Sequence, residues 1–412
     1  MRQKSSSFYF ASKKTNSSFG SQSHGRGSFH GQSSRGGSRR PRRDEEKIDI
    51  NRFIQQSSNR KPVEAPIISH KFSDFNLSPI IQKNLAHQGF VTPTPIQDQS
   101  IDYIMSGRDL VGLANTGTGK TAAFLLPLIN KTFLNKNERV LIIAPTRELA
   151  IQIENEFRLF SWGMQLFSGI CTGGSPIGKQ IFNLKRNPNF VIGTPGRLKD
   201  LSERGLIRFE SFTNVVLDEV DRMMDMGFVD EITRILNKLP QSRQSLFFSA
   251  TMPPKIANLV KQFQTDPITV SVTEGETAKN VEQDIIRVRS RESKIIQLQD
   301  LLRDPEVKKA LIFSETKRDV DRISSDLVKE GFLADCIHGD KRQSQRARAL
   351  NSFKRNEIKI LVATDVAARG LDIKDISHVI NYTVPQTYND YVHRIGRTGR
   401  GEKSGKALTF VE

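Results

Sequence analysis

The sequence predicts an α/β protein with two parallel-sheet domains in tandem, preceded by a disordered basic arm. From about residue 66 onward, short apolar runs alternate with longer amphipathic stretches, which is typical of parallel sheets covered by helices. A polar, turn-rich stretch at residues 266–282 divides this alternation into two parts. The first 43 residues hold 10 Lys or Arg, 12 Ser and no Asp or Glu. Such a segment cannot bury enough apolar surface to offset its conformational entropy.

These features define the expected domain boundaries. Residues 1–65 form a Ser-, Gly- and Arg-rich extension, 66–265 the first domain, 266–282 the linker and 283–412 the second domain. Five aromatic residues are scattered among the basic residues of 1–43, and both kinds of side chain can stack on single-stranded bases. We interpret this arm as a segment that binds single-stranded nucleic acid. A solvated tail and an organelle transit peptide with the same acid-free composition remain open alternatives.

The net charge indicates a polyanionic partner. The 412 residues include 62 Lys or Arg against 45 Asp or Glu, which gives +17 at pH 7. Such a balance favours nucleic acid or an anionic membrane surface. The sequence has no run of about 18 apolar residues, and its start lacks the apolar segment of a secretory signal. We therefore expect a soluble, cytoplasmic protein that does not enter a membrane.

Cysteine usage argues against a disulfide framework or a zinc site. Only Cys171 and Cys336 occur, and we identify no nearby Cys or His partner for either, so neither a disulfide framework nor a zinc site is expected. We expect both to be buried thiols.

The elements follow in order along the chain. Ser78 and Pro79 are typical of the N-cap and first residue of a helix, and Gly89 lies where that helix would end. The apolar runs predict buried strands: DLVGLA, RVLIIAP, NFVIG, NVVLDE and SLFFSA, then KALIFSE, KILVAT and HVINYTV. A small, polar or charged cluster follows nearly every run. In open parallel sheets the ligand crevice lies at the carboxyl ends of the strands, so these clusters are expected to converge.

One such cluster, ANTGTGKT at residues 114–121, predicts a phosphate-binding loop. It follows the strand DLVGL and opens an apolar helix. Its glycines allow backbone N–H groups to surround phosphates, Lys120 can reach the outer phosphates, and Thr121 can offer a hydroxyl to Mg²⁺. Ala114 stands where the usual motif has its first Gly. A Gly-rich turn without nucleotide is the alternative interpretation.

A second cluster places three carboxylates at the end of the strand NVVL. Asp218, Glu219 and Asp221 lie within four positions. Taken alone, a solvated acidic turn at the end of the strand is the alternative interpretation. Beside a phosphate-binding loop, Asp218 can hold Mg²⁺ directly or through water, and Glu219 can polarise an attacking water.

The motifs, taken in order, resemble those of the DEAD-box RNA helicases of superfamily 2. The resemblance covers about residues 72–412 and includes GFVTPTPIQ, ANTGTGKT, PTRELA, GG, TPGR, DEVD, SAT, HGDKRQSQR, TDVAARGLD and HRIGRTGR. The stretch DEVDRMMDMGF is most similar to the bacterial RhlE-type branch. Val220 replaces the Ala of the family motif, which adds two carbons behind the metal site. Family members usually continue with helices beyond GKALTFVE, so we expect either a C-terminally truncated second domain or an uncovered sheet.

The resemblance implies two RecA-like domains that bind ATP and Mg²⁺. Phe72 would stack on adenine, Gln97 would read the adenine edge, and Asp372 would contact the ribose. Thr121 and Asp218 would hold the metal. The implied nucleotide-binding residues are Phe72, Gln97, Ala114, Asn115, Thr116, Gly117, Thr118, Gly119, Lys120, Thr121 and Asp372.

The resemblance also implies catalytic roles in both domains. Lys120, Asp218 and Glu219 would act from the first domain, and Arg397 and Arg400 would act as arginine fingers from the second. Ser249 and Thr251 would link Asp221 to domain closure.

For RNA, the implied contacts are Thr146, Arg147, Gly173, Gly174, Thr194, Arg197, Gln343, Arg346, Thr364 and Asp365. Such side chains suit phosphates and sugars, and contacts to these groups position RNA without reading its sequence. Contacts to 2′-hydroxyl groups distinguish RNA from DNA. The helix after Arg197 would bend the strand and separate a duplex locally.

The function predicted from these features is that of an ATP-dependent RNA helicase that remodels short duplexes or ribonucleoproteins. An ATP-gated RNA clamp with little unwinding is the alternative, and a DNA helicase is a more distant one. Candidate protein partners are ribonucleoprotein, RNA-decay or ribosome-assembly factors.

Overall fold

The computed structural model describes residues 53–54, 68–115, 117–272, 281–368, 373, 375–399 and 404–411. All of residues 1–43, all but residues 53–54 of the rest of the predicted extension, and residues 273–280 of the predicted linker therefore lie outside the described residues. Both sheets belong to one unit of the chain, which begins at Ile48.

Within the described residues, the first domain contains a seven-stranded parallel sheet in the order β3-β4-β2-β5-β6-β1-β7. The strands are β1 Leu110–Leu113, β2 Val140–Ile143, β3 Ser168–Cys171, β4 Phe190–Gly193, β5 Asn214–Leu217, β6 Gln244–Ser249 and β7 Ile268–Ser271. The helices are α1 Pro79–His87, α2 Pro95–Met105, α3 Lys120–Leu134, α4 Arg147–Phe160, α5 Ile177–Lys185, α6 Pro195–Glu203, α7 Val220–Asp225, α8 Val229–Lys238 and α9 Pro254–Phe263, with a 3₁₀ turn at Phe209–Ser211.

The second domain repeats this plan. Across the part of the chain described from 281 to 411, six parallel strands lie in the order β10-β11-β9-β12-β13-β8. The strands are β8 Val281–Arg287, β9 Ala310–Phe313, β10 Ala334–Ile337, β11 Ile360–Ala363, β12 His378–Asn381 and β13 Gly405–Val411. The helices are α10 Arg291–Arg303, α11 Lys317–Lys329, α12 Gln343–Lys354, α13 Asp365–Ala368 and α14 Tyr388–Ile395.

Each sheet has hydrophobic packing on both faces. In β2, Val140 and Ile142 belong to one core cluster, while Leu141 and Ile143 belong to another. Successive strand residues point to opposite faces, so the two clusters cover the two sides of the sheet. Strand β9 divides its side chains in the same way. The runs are apolar throughout because both faces are buried, and the predicted parallel α/β fold is confirmed.

All eight predicted strands form, but the predicted linker is wrong at both ends. Strand β7 takes residues 268–271 into the first sheet, and β8 begins at Val281. Of the β7 side chains only that of Val270 is buried, so the sequence lacks the apolar run that marks the other strands. Helix α1 begins at Pro79 as predicted, and Gly89 follows its end with φ of 77°.

A residue of the predicted disordered extension packs on the second domain. Phe53 is 0% exposed, and its ring centroid lies 4.5 Å from that of Tyr391. Val281, Ile395 and Ala407 complete the cluster. The prediction of disorder over 1–65 therefore fails at this residue, because one large aromatic side chain finds an apolar pocket on a distant domain.

The structure also shows the surroundings of Val220 and of the two cysteines. Val220 is fully buried in a core cluster with Leu217 and Met223, which accommodates the two extra carbons. Cys171 and Cys336 are buried free thiols, as predicted. Among the helices of the described residues, none combines the length and apolar character needed to cross a bilayer.

Candidate functional site

The predicted phosphate-binding loop joins β1 to α3. Gly119 has φ of 92°, a left-handed conformation that side chains rarely adopt. The Nζ atom of Lys120 donates a hydrogen bond to the carbonyl oxygen of Ala114 over 2.8 Å. Thr118 Oγ1 donates to the carbonyl oxygen of Asn115, also over 2.8 Å. These bonds fold the loop around the lysine ammonium group.

Gln97 joins α2 to this loop. Its Oε1 accepts a hydrogen bond from the backbone N–H of Thr94 at 2.9 Å, and its Nε2 donates to the carbonyl oxygen of Gly119 at 3.0 Å. A Cβ at Gly119 would lie 2.4 Å from Gln97 Nε2, so this contact requires glycine. Gln97 is 2% exposed. Its buried amide therefore holds the loop through this hydrogen bond.

The predicted adenine-stacking residue, Phe72, lies in an aromatic cluster. It is 4% exposed, and its ring centroid lies 6.3 Å from those of Phe75 and Phe90. Phe90 is 38% exposed. In this structure, Phe90 therefore offers more ring surface than Phe72.

The carboxylates Asp218 and Glu219 lie buried at the end of β5. Burial raises the pKa of Asp218 to about 7, although the charge of Lys120 opposes this shift. Burial also acts to raise the pKa of Glu219. The positive charges of Arg222, Lys120 and Arg397 outweigh that effect and lower the pKa of Glu219 to about 2. Glu219 is therefore held as a carboxylate, and it forms an ion pair with the buried Arg222.

Asp221 connects the DEVD motif to the SAT motif. Its Oδ2 accepts hydrogen bonds from the backbone N–H groups of Ala250 and Thr251 at 3.0 and 3.1 Å, and from Thr251 Oγ1 at 3.3 Å. Ser249 Oγ accepts a bond from the backbone N–H of Asp221 at 3.3 Å and donates to the Thr251 carbonyl oxygen. The predicted residues Ser249 and Thr251 thus fix the position of Asp221.

The two domains share a cavity at these motifs. Lys120 and Glu219 line it from the first domain, and His393 and Arg397 line it from the second. The structure thus brings the predicted Arg397 close to the phosphate-binding loop and the carboxylates. Sequence reasoning missed Arg222 and His393, although both belong to motifs that were quoted. Thr116, Asp372 and Arg400 lie outside the described residues.

On another surface, Arg147 lies against the predicted GG motif. A Cβ on Gly174 would lie 1.8 Å from Arg147 Nη1, and one on Gly173 would lie 3.1 Å from Nη2. Thr146 is the N-cap of α4 and accepts a hydrogen bond from the backbone N–H of Leu149. The missing side chains of the glycines therefore leave the space that the guanidinium group fills.

Arginines from both domains converge here. Burial lowers the pKa of Arg147, and the positive charges of Arg346 and Arg197 lower it further. Arg346 Nη2 lies 3.0 Å from Glu148 Oε1, and Gln343 Nε2 donates to the same oxygen at 3.2 Å. The structure thus groups predicted RNA contacts of both domains around Glu148, a residue that sequence reasoning did not single out.

The remaining predicted RNA contacts lie at helix starts. Thr194 is the N-cap of α6, and Arg197 follows on its first turn. Arg197 Nε lies 3.5 Å from Asp200 Oδ2, while its Nη1 is buried without a hydrogen-bond partner among the described residues. This guanidinium group retains an unused donor. Thr364 precedes α13 and is 7% exposed.

Asp365, another predicted RNA contact, forms an ion pair with a buried arginine. Its two carboxylate oxygens accept hydrogen bonds from Nε and Nη2 of Arg394 at 2.6 and 2.7 Å. Arg394 is itself buried and also bonds to Asn381 and Thr383. The family resemblance implied Asp365 as an RNA contact, and the sequence alone could not show that a buried arginine uses this carboxylate as its partner. The Asp365 side chain is thus engaged within the protein.

A phosphate-binding loop in the first α/β domain lies at a cavity that residues of the second α/β domain complete. This arrangement defines the class of protein as a tandem RecA-like NTPase. The sequence profile described as DEAD/DEAH box helicase matches residues 94–259, and that described as helicase conserved C-terminal domain matches 293–402. The chain belongs to the DEAD-box family of ATP-dependent RNA helicases.

Curated relatives agree with this assignment. The chain is 46% identical over 344 residues to the ATP-dependent RNA helicase CshA of Listeria monocytogenes, covering 83% of this chain and 66% of that protein. It is 46% identical over 346 residues to CshA of Bacillus subtilis, covering 82% of this chain and 69% of that protein. The chain thus spans about two thirds of the length of these relatives.

Solved structures show the same architecture. Dbp5 of S. cerevisiae bound to RNA and ADP BeF3 is 29% identical, with a TM-score of 0.74 over 83% of this chain and 89% of that one. Mss116p bound to ssRNA and AMP-PNP is 28% identical, with a TM-score of 0.75 over 84% of this chain and 76% of that one. Both support the predicted fold of two RecA-like domains.

Proposed function

We propose that this protein is an RNA-stimulated ATPase that uses closure of its two domains to separate short RNA duplexes or remodel ribonucleoproteins. The observation that carries this proposal is the shared cavity, in which Arg397 and His393 of the second domain lie with Lys120 and Glu219 of the first. A site completed by two domains can couple nucleotide chemistry to their relative position. The RNA-bound Dbp5 and Mss116p structures support RNA as the ligand.

The phosphate-binding loop is the proposed ATP site. Lys120 binds the outer phosphates, while Gln97 joins the loop and contributes to adenine selection. Phe72 or its neighbour Phe90 stacks on the ring. Asn115, Gly117 and Thr118 belong to the same loop. The roles of Thr116 and Asp372 stay predictions for residues that the structure does not describe.

Magnesium fits the donor set of this site. Thr121 offers a hydroxyl and Asp218 a carboxylate, and hard oxygen donors of this kind suit Mg²⁺. Asp218 is 2% exposed, and a cation compensates the cost of keeping such a carboxylate charged. A bound Mg²⁺ would neutralise phosphate charge.

The chain's own residues then divide the work of hydrolysis. Glu219 stays ionised beside Arg222 and can orient and polarise the attacking water. Arg397 stabilises the charge that develops on the transferred phosphoryl group, as arginine fingers do in other phosphoryl transferases. Arg400 is proposed for the same role. The SAT motif, which holds Asp221, is proposed to link this residue to domain closure.

RNA is proposed to lie across both domains, along the surface where their arginines converge. Arg147, Arg197 and Arg346 supply donors for phosphates, and the Gly173–Gly174 pair allows close approach of the backbone. Thr146, Thr194, Gln343 and Thr364 supply further polar groups. An RNA contact at Asp365 would have to use its backbone, since its carboxylate binds Arg394.

Finer assignments also stay proposals. A cytoplasmic location stays a proposal, and ribonucleoprotein, RNA-decay or ribosome-assembly factors remain the candidate partners. Assignment to the RhlE-type branch has no specific support, because the Listeria and Bacillus relatives carry the name CshA. RNA binding by residues 1–43 rests on composition alone.

Two measurements test the proposed function. The first is the ATPase rate with and without RNA, which should rise with RNA. The second is strand displacement on a short tailed duplex, with ATP and with a non-hydrolysable analogue. ATP-dependent displacement over multiple turnovers supports a helicase. RNA-stimulated hydrolysis with tight RNA retention but no displacement would indicate the clamp instead, and equal activity on a DNA duplex would remove the RNA assignment.

A further inference from the structure

A cluster of three potential metal ligands lies on the second domain, outside the residues assigned to ATP or RNA. Cys336 is on β10, and His338 follows that strand directly. Residues two apart on a strand point to the same face. Asp321 reaches this face from α11, which packs against β10.

The ligand atoms already lie close together. His338 Nε2 is 3.0 Å from Asp321 Oδ1, and Cys336 Sγ is 3.5 Å from the same oxygen. The three ligand atoms all lie within 4.8 Å of one another. In a tetrahedral zinc site with bonds of about 2.0–2.3 Å, the ligand atoms are about 3.3–3.8 Å apart. Small side-chain adjustments therefore suffice to surround an ion.

Burial of the three residues is asymmetric. Cys336 is 3% exposed and His338 4%, whereas the Asp321 side chain is 56% exposed. Sulfur and nitrogen would thus bind from the protein interior, and the carboxylate would close the site from the surface. The solvent side leaves an entry path and a fourth position for water.

We propose that Asp321, Cys336 and His338 form a three-ligand site for a divalent transition-metal ion of the zinc class. Thiolate and imidazole favour such ions, whereas Mg²⁺ prefers oxygen ligands, so the site is chemically distinct from the nucleotide site. On binding, a metal–sulfur bond forms and the Cys336 thiol proton is released to solvent, with no change of metal oxidation state. The ion would tie β10 to α11. This proposal reverses the expectation from cysteine usage, which overlooked His338 two residues after Cys336. Asp321 lies on a separate helix, so sequence spacing could not place it with the other two.

One cation competes with the ion. Lys341 Nζ lies 4.0 Å from Asp321 Oδ1 and 3.6 Å from Asp335 Oδ1. On metal binding, its ammonium group would shift toward Asp335. Lys341→Met removes this charge and should therefore tighten metal binding.

The test is titration of the full chain with CoCl₂ in excess MgCl₂, followed by displacement with ZnCl₂. Co²⁺ bound to Cys336 should give a thiolate-to-metal charge-transfer band that Zn²⁺ removes. Cys336→Ser should abolish the band, and Asp321→Asn should weaken binding about 10-fold or more. Cys171→Ser is the matched control, because the chain has only two cysteines and Cys171 is 0% exposed in the first domain.

Asp321→Asn changes an exposed side chain and keeps the test informative if Cys336→Ser fails to fold. Wild-type protein without the band, a band lost in Cys171→Ser, or a band unchanged in Asp321→Asn would each overturn the proposal. Weaker Co²⁺ binding in Lys341→Met would also count against an ion at this position.

Discussion

Glu148 of the first domain and Arg346 of the second form an ion pair across the domain boundary, with Arg346 Nη2 3.0 Å from Glu148 Oε1. The two side chains are 9% and 12% exposed. The positive charge of Arg346 lowers the pKa of Arg147, whereas the negative charge of Glu148 raises it. Glu148 therefore partly balances the two arginines. The pair therefore links the PTRELA motif of the first domain to the HGDKRQSQR motif of the second.

Glu148→Ala should favour separation of the domains. Removing one partner of a largely buried charge pair costs about 2–5 kcal/mol, and this change also removes the carboxylate that Gln343 donates to. Fluorescence transfer between labels on the two domains, with RNA and an ATP analogue, should report a smaller closed fraction. The control is Lys329→Ala, whose pair with Asp326 is exposed and should contribute no more than about 1 kcal/mol. Equal closed fractions in Glu148→Ala and wild type would contradict this role.

Sequence patterns predicted what depends on local chemistry. The apolar runs identified strands because both faces of each sheet are buried. The loop and carboxylate motifs predicted that Lys120, Asp218 and Glu219 share one site, and the structure brings these three side chains close together. The missed features depend on distant residues. The partner of Glu148 lies in another domain, the partner of Asp365 is a buried arginine 29 residues away, and Phe53 packs on Tyr391. No periodicity or spacing carries those contacts.

Glu219→Gln should lower ATP turnover by about 10² to 10⁴, the usual contribution of a general base. The amide keeps an oxygen that can accept from Arg222, so the buried arginine retains a partner and ATP binding should change little. Steady-state hydrolysis and nucleotide binding by fluorescence check both points. Asp230→Asn, which changes an exposed carboxylate on the following helix α8, is the control. Near-normal turnover in Glu219→Gln would assign the water to another residue.

Arg397→Ala should suppress RNA-stimulated hydrolysis by about 10³ to 10⁵, the range measured for arginine fingers elsewhere. Its charge lies close enough to lower the pKa of Glu219, yet Lys120 still holds the phosphates. Binding of ATP should therefore survive. Arg355→Ala removes a largely exposed arginine of the same domain and should leave the rate unchanged. An Arg397→Ala variant that loses ATP binding and hydrolysis in parallel would indicate a binding role.

Phe53→Ala should destabilise the second domain by about 3–5 kcal/mol, as is typical for a fully buried phenylalanine. The cavity would open beside Tyr391 and between β8 and α14. Hydrogen exchange of β8 and β13 measures the loss locally, without assuming that the whole chain unfolds in one step. The neighbouring Ile54 is 46% exposed, so Ile54→Ala is a matched control. Unchanged exchange in Phe53→Ala would mean that this contact adds no stability.

Gly174→Ala should weaken RNA binding through Arg147. The new Cβ would lie 1.8 Å from Arg147 Nη1 and 2.6 Å from Cζ, and Gly174 has φ of 69°. The guanidinium group must therefore move, which should cost about 1.5–3 kcal/mol if it donates to a phosphate. The salt dependence of single-strand binding should fall by about 0.7 in slope.

RNA affinity across a range of salt concentrations measures both effects of Gly174→Ala. Gly178→Ala is the matched control, because nothing lies within 4 Å of its added Cβ and alanine suits the helix there. Combining Gly174→Ala with Arg147→Ala separates the two explanations. If the glycine acts only by leaving space for the arginine, the double variant should bind RNA no more weakly than Arg147→Ala alone. Additive losses would show that Gly174 contacts RNA itself.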